Sequence, residues 1–500
     1  MQGASYNQKR ANQLDRRFGM KHKWIALLMA CSVAMGAGGT YAVIEFTGED
    51  KQQSEEAEQG KTENPVEVKL ANIEKVGKAY ELILNSYVEQ VEEEELVEGA
   101  IQGMLSTLDD PYSVYMNKET VKQFNETLDS SFEGIGAEVS MVDGKVIIVA
   151  PFKDSPAEKA GLKPNDRILS VDGESVEGLD LYEATLKIRG EKGTKVKLEI
   201  ERKGLKDPLV VDVKRDEIPQ ITVYGEIKKQ GSKQVGYLEI TSFSEETATE
   251  FKEQLTKMEK KGIEGLIIDV RGNPGGLLTS VEEILKEFVS KEKPYVQIEK
   301  RNGEKLRYFS SLEKDKPYPV AVLIDNGSAS ASEILAGALQ EAEGYTLIGE
   351  KTFGKGTVQQ PVPMGDGSNI KLTIFKWLTP DGNWIHKKGI EPDLEVKQPA
   401  IYHTHPLQVE QALVKDMNNE QVQNAQQMLE GLGFAPGRED GYFDDATESA
   451  VMAFQNHNEL PASGQIDPKT ASALETAIIE EIKKEKNDLQ LQTALRYITK

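Results

Sequence analysis

Between residues 220 and 400 the chain alternates short apolar runs with helical stretches, and that alternation implies a sheet with helices packed on it. A strand over 234–240 precedes a helix over 245–260. A strand over 265–270 precedes a helix over 278–288. A strand over 319–325 precedes a helix over 332–343, and a strand over 345–349 follows. Upstream, in 131–215, β-branched runs at 145–150, 167–171, 196–201 and 209–213 are separated by Gly, Asp-Gly and Lys-Gly turns, with helices over 154–160 and 179–189. Residues 68–128 are helical in pattern, with Ile73, Val76, Tyr80, Leu84 and Tyr87 at three- and four-residue steps, until Asp110-Pro111 breaks the segment. At 500 residues the chain exceeds what one core organises, so several domains are expected.

The N-terminus has its own character. Lys9, Arg10, Arg16, Arg17, Lys21 and Lys23 face the single acid Asp15, and a mostly apolar stretch runs from Trp24 to Phe46. About twenty apolar residues span a bilayer and a basic flank stays cytoplasmic, so 1–23 reads as a cytoplasmic tail and 24–46 as a transmembrane signal anchor. The stretch is longer than the apolar core of a cleaved signal peptide. Residues 47–67 are a polar, acidic linker. On this reading everything after about residue 46 lies outside the cell membrane. The lone cysteine, Cys31, sits in the apolar span, so the folded part has no disulfide and no thiolate site. A net charge of −23 argues against sequence-independent nucleic-acid binding, because phosphates would be repelled.

Chemistry concentrates in the segment VAVLIDNGSASASEILAGAL, residues 320–339. A buried-strand run ends at Asp325, a Gly-containing turn follows, and Ser330-Ala331-Ser332-Glu333 opens a helix. A serine there projects its hydroxyl beside the free N–H groups of the helix start, where an oxyanion would develop. Taken alone, the same residues read more readily as a helix N-cap with Glu333 in the first turn. A serine nucleophile needs a base. Of the five histidines, His22, His386, His403, His405 and His457, none has an identifiable partner in the sequence. A lysine serves if burial makes its neutral form accessible at pH 7. Lys355, in the Gly-rich stretch GEKTFGKGTVQQ (349–360) after a buried strand, is such a lysine.

GSASASE followed by GEKTFGKGTVQQ resembles the signature of the C-terminal processing peptidases, the tail-specific serine proteases. LDDPYSVYM (108–116), DVRGNPGG (269–276) and LTPDGNWIHKKGIEPD (378–393) support the likeness. The resemblance implies that Ser330 is the nucleophile and Lys355 the general base. It also implies that Gln359 orients Lys355 by hydrogen bonding and that Lys351 is a bystander. Through the glycines of DVRGNPGG it implies an oxyanion hole from Gly275 or Gly276 with the Ala331 amide. The doubled Asp109-Asp110, where the family often has one acid, lies far along the chain and is expected to have no catalytic bearing. Neither metal nor cofactor is implied.

Residues 129–215 resemble an inserted PDZ domain through SPAEKAGLKPNDRILSVDG, which makes Gly134-Ile135-Gly136-Ala137 the loop that binds a substrate's terminal carboxylate. Residues 408–478 resemble a peptidoglycan-binding domain through VQNAQQMLEGLGF, DGYFDDATESAVMAFQ and SGQIDPKTASAL. There Asp445 and Glu448 are expected to cap a helix, over a core of Leu429, Leu432, Phe434 and Phe454. The expected fold is therefore multidomain α/β. A ClpP/crotonase-like body at 216–400 carries a β-rich PDZ domain with two helices, a helical N-terminal domain at 68–128, a small all-α C-terminal domain and a polar tail at 479–500. The expected partners are proteins with free apolar C-termini, peptidoglycan and the membrane through one span. Nucleic acid is excluded and homo-oligomers are admitted. Two rivals are a catalytically inactive wall-bound PDZ scaffold, against which the intact Ser330, Lys355 and Gln359 speak, and a crotonase-like acyl-CoA enzyme, which has no use for a PDZ domain.

Overall fold

A computed structural model describes residues 70–500 apart from 143, 204 and 410. The basic tail 1–23, the apolar span 24–46 and the linker 47–67 lie outside the described residues. Among the described residues no helix is long and apolar enough to cross a membrane.

The described residues open with helices α1 (Leu70–Ser86) and α2 (Glu93–Ser106), then β1 (Val114–Met116) and α3 (Lys118–Leu128). Strand β2 (Ser131–Gly134) leads into β3 (Ala137–Val142), β4 (Lys145–Pro151), α4 (Pro156–Lys159), β5 (Arg167–Val171), β6 (Glu174–Ser175), α5 (Leu181–Ile188), β7 (Lys195–Glu201) and β8 (Leu209–Lys214). Strand β9 (Asp216–Pro219) pairs antiparallel with β2, so the chain enters and leaves this unit along one two-stranded stalk. Its sheet runs β3-β4-β5-β7-β8, with β6 on β5, around Ile148, Ile168, Val196, Leu198 and Ile200. Alternation along β7, KVKLEIE, puts Val196, Leu198 and Ile200 inward and the charged residues outward.

The body follows: β10 (Val223–Gln230), β11 (Lys233–Ile240), α6 (Thr247–Lys260), β12 (Gly265–Asp269), α7 (Leu278–Leu285), β13 (Pro294–Glu299), β14 (Lys305–Phe309), β15 (Val320–Ile324), α8 (Ala331–Glu343), β16 (Thr346–Gly349), β17 (Thr357–Pro363), β18 (Asn369–Leu378) and β19 (Leu394–Glu395). One sheet has the order β10-β11-β12-β15-β16-β19 and is parallel from β11 onward. A second, antiparallel sheet runs β1-β18-β13-β14, with β17 on β18. Every residue of β12 and β15 is buried, as expected of parallel strands covered on both faces. Leu266, Ile268, Val322 and Ile324 face the cluster shared with α6, α7 and α8.

The other face departs from expectation. Ile267, Ala321 and Leu323 meet Leu491, Ala494, Leu495 and Ile498 of a terminal helix. The C-terminal unit comprises α9 (Glu420–Gly431), α10 (Asp445–His457) and α11 (Pro468–Ile482), after which α12 (Leu489–Ile498) ends the chain. The stretch 479–500 is therefore not a polar tail. Helix α11 runs through its start, and α12 hides four apolar residues at helical spacing on the sheet. The N-terminal reading 68–128 also needs correction, because β1 is a strand of the protease body's second sheet and not part of a separate helical domain. In the C-terminal unit Leu429 and Phe454 are buried as expected, while Leu432 and Phe434 pack at the margin. Ile401 and Leu407 join the same core, so the unit begins before residue 408. Its α10 is capped by Asp444, which accepts from the Thr447 amide at 2.9 Å. Asp445 instead pairs with Lys415 on the surface.

Candidate active site

The turn after β15 is held from below before any reactive group is considered. Asp325 Oδ1 accepts from the amides of Gly272, Gly327 and Ser328 at 2.8–3.0 Å. The Ser328 hydroxyl donates to the Val270 carbonyl, and the Ser332 hydroxyl to the Asn273 carbonyl at 2.9 Å. Two of the three serines in GSASASE are thus committed to structure. Ser330 stands apart. It precedes α8 with φ 55° and ψ −110°, a backbone region that costs a non-glycine residue about 1–3 kcal/mol and persists where the surroundings dictate it.

Glu333 is what dictates it. This fully buried carboxylate accepts four hydrogen bonds. Its Oε2 takes the Ser330 amide at 2.8 Å and the Lys355 amide at 2.7 Å, and its Oε1 takes the Gly354 amide at 2.7 Å and the Thr352 hydroxyl at 2.6 Å. Burial pushes the carboxyl above its usual range, while these four bonds pull the other way. In the sequence Glu333 looked like the partner of an N-cap. The capping bond to Ser330 is present, but the same group also ties the helix start to the loop 352–355.

Lys355 is 2% exposed. Its carbonyl accepts from Trp377 Nε1 at 2.7 Å, and its Nζ lies 4.3 Å from the centroid of the Tyr112 ring. Lys351, by contrast, is half-exposed and pairs with Glu391 at 2.6 Å. Gln359 is buried, and its Nε2 donates to the hydroxyls of Thr357 (3.1 Å) and Thr373 (2.9 Å). Its Oε1 is buried with no hydrogen-bond partner among the described residues. His386 stacks on Trp384 and meets the edge of Tyr112. Burial, then Lys387 and Lys355, holds its imidazole below the usual value against the pull of Asp110.

DVRGNPGG wraps the turn that carries Ser330. Asn273 Nδ2 donates to the Ile240 carbonyl and its Oδ1 accepts the Gly275 amide at 2.8 Å, so that amide is already used. The Gly276 and Ala331 amides have no acceptor among the described residues. Both glycines are required by contact. A Cβ on Gly275 would lie 2.8 Å from the Ala329 carbonyl oxygen, and one on Gly276 2.0 Å from that of Phe243.

The segment that begins at Asp109-Asp110 is distant in the chain from Lys355 but close in space, since Tyr112 reaches the Lys355 amine. In the inserted unit, Ile135, Gly136 and Ala137 line a groove of about 780 Å³ with Val139, Phe152 and Ile188. Gly134 closes β2 just before it. Gly136 takes φ 71°, and the Ile135 and Gly136 amides have no acceptor among the described residues. Arg167 pairs with Glu201 on the same sheet.

The Peptidase family S41 model matches residues 234–396, and a PDZ domain model matches 134–213. The carboxy-terminal processing protease CtpB of Bacillus subtilis (strain 168) is 59% identical over 477 residues, 95% of this chain and 99% of that protein. The chain belongs to the carboxy-terminal processing proteases. It is a serine-type protease. The carboxy-terminal processing protease CtpA of the same organism is 43% identical over 431 residues, 86% of this chain and 91% of that one. The model for the activating protease CtpB N-terminal domain covers 33–120, and that for the peptidoglycan binding domain 418–474. Among solved structures, the photosystem II D1 C-terminal processing protease is 28% identical, covers 64% of this chain and 86% of its own, and has a TM-score of 0.40.

Proposed function

We propose that this protease is anchored by its apolar span 24–46 with the body outside the membrane, selects proteins by a free apolar C-terminus, and cuts them with Ser330 and Lys355. The observation that carries the catalytic assignment is one atom. Glu333 Oε2 receives the backbone amides of both Ser330 and Lys355, so two segments 25 positions apart in the chain are pinned to the same oxygen. The mechanism follows from the residues around it. Neutral Lys355 takes the Ser330 hydroxyl proton as the oxygen attacks the scissile carbonyl. The Gly276 and Ala331 amides receive the oxyanion. The resulting lysine ammonium returns its proton to the leaving amine, and the neutral amine then activates the water that hydrolyses the acyl-enzyme. Gln359 Oε1, held by two threonine hydroxyls through its amide nitrogen, offers the buried acceptor that steers the amine.

Recognition falls to the groove beside Gly134–Ala137, whose amides suit a carboxylate and whose Ile135, Val139 and Ile188 suit an apolar side chain. Residues 418–474 would hold the enzyme to peptidoglycan. Ser330→Ala and Lys355→Ala should each abolish hydrolysis of an unfolded test protein while leaving the fold intact, and Lys351→Ala should keep most activity. If Lys351→Ala were as inactive as Lys355→Ala, the assignment of the base would be wrong.

A further inference from the structure

The motif LDDPYSVYM has a role beyond pairing with β18. Asp110 organises a tight turn: its Oδ1 accepts the Tyr112 amide at 3.1 Å and its Oδ2 the Ser113 hydroxyl at 2.6 Å. That turn presents two side chains in fixed directions. Ser113 Oγ accepts the Thr373 amide at 3.0 Å, and Thr373 holds Gln359. The Tyr112 ring lies over Lys355 Nζ at 4.3 Å on one side. The same ring, with His386, Trp384, Thr357 and Thr373, lines a groove of about 1040 Å³ that Lys355 does not line. Tyr112 therefore stands between a large open groove and a buried amine.

We propose that Tyr112 is a positioning residue for the catalytic lysine, a wall that keeps groove water off the Lys355 amine while fixing its direction. This rests on the Ser330–Lys355 reading above. An aromatic face does two opposed things to an amine. It excludes water, which favours the neutral base, and it attracts the cation. Desolvation can move a lysine by several pH units, whereas the ring's attraction for the desolvated cation is worth roughly one and a half to two, so exclusion of water dominates. Of the charged and titratable groups nearby, His386 on the loop after β18 interacts with Lys355 and itself feels Asp110 and Lys387, while Glu333 on α8 binds the Lys355 backbone amide. His386 meets the edge of the same ring, so its contact changes in Tyr112→Ala, whereas Glu333 holds the Lys355 backbone in every variant.

The test compares Tyr112→Ala, Tyr112→Leu and Tyr112→Phe in the full chain, with kcat and KM measured from pH 6 to 10 on a soluble peptide substrate. Tyr112→Ala should lose at least tenfold in kcat at pH 7, recover much of it by pH 10, and leave KM unchanged. Its rising limb should move to alkaline pH by about one unit or more. Tyr112→Phe should behave as the native protein. Tyr112→Leu, which fills the space and guards against a folding defect, should show a smaller alkaline shift or none. An unchanged pH limb in Tyr112→Ala overturns the proposal, as does a loss confined to KM, which would make the ring a substrate contact. Lys355→Ala in the same series separates the two layers of inference. If it retains activity the Ser–Lys reading fails, whereas an inactive Lys355→Ala beside an unshifted Tyr112→Ala removes the role of Tyr112 alone.

Discussion

Replacing Glu333 by glutamine removes a charge and converts one acceptor into a donor at the point where the Ser330 and Lys355 segments meet. Two placements of the new amide are available. If its NH₂ replaces Oε2, the Ser330 and Lys355 amides both face a donor. If it replaces Oε1, the Gly354 amide loses its partner, and the Thr352 hydroxyl, which already accepts the Ile390 amide, must turn its proton elsewhere to accept the new amide. Each buried donor left unpaired costs about 1–3 kcal/mol, so the second placement is preferred and the first is worse by a similar amount. Burial already disfavours the Glu333 carboxylate, so removing its charge recovers part of that loss. Stability should therefore fall by no more than about 3 kcal/mol, and turnover is the discriminating measure. The loop carrying Lys355 loses its charged anchor, and a shift of about 1 Å between nucleophile and base can cost roughly a hundredfold. We expect Glu333→Gln to lower kcat by about that factor at unchanged KM, in steady-state cleavage assays with thermal unfolding measured in parallel. A variant with kcat within twofold of the native protein, while Lys355→Ala is inactive, would refute the idea that this carboxylate sets the geometry.

Helix α12 gives a second expectation. Leu495 is 1% exposed against the sheet, so Leu495→Ala should cost about 2–5 kcal/mol, and deletion of 489–500 should inactivate the protease. Normal cleavage and an unaltered melting profile after that deletion would contradict it. Burial pushes the Glu282 carboxyl up to about 7, above its unfolded value. Its contribution to stability is thus present at acidic pH and lost as pH rises through about 7, a difference of roughly 3 kcal/mol. In urea titrations Glu282→Gln should exceed the native protein in stability at pH 8 and match it at pH 4; equal stability at both would sink the argument. For the groove beside Gly134–Ala137, calorimetry on full-length Ser330→Ala should show an apolar peptide with a free carboxylate binding far more tightly than its amide. Comparable affinities would remove the carboxylate from the recognition scheme.

Much of this was readable along the chain. The strand–turn–helix run at 320–339 was legible because its apolar strand, glycine and helix start are neighbours in sequence, and the structure sets Ser330 at that turn. The β-branched runs and glycine turns of 145–213 exposed the inserted sheet for the same reason, since strand and turn signals need no knowledge of the partner. What the chain could not reveal were contacts between distant segments. Tyr112 and Lys355 lie 243 positions apart, and nothing in LDDPYSVYM announces a ring over an amine. Glu333 looked like a helix cap because its bond to Ser330 is local, while its bonds to Thr352, Gly354 and Lys355 are not. Residues 489–498 carry an amphipathic stripe, but the polar residues between its apolar positions suited a solvated tail equally well. Only the uncovered face of β12 and β15 decides that the stripe is buried. Periodicity reports which side of an element is apolar, and the tertiary fold alone determines what that side meets.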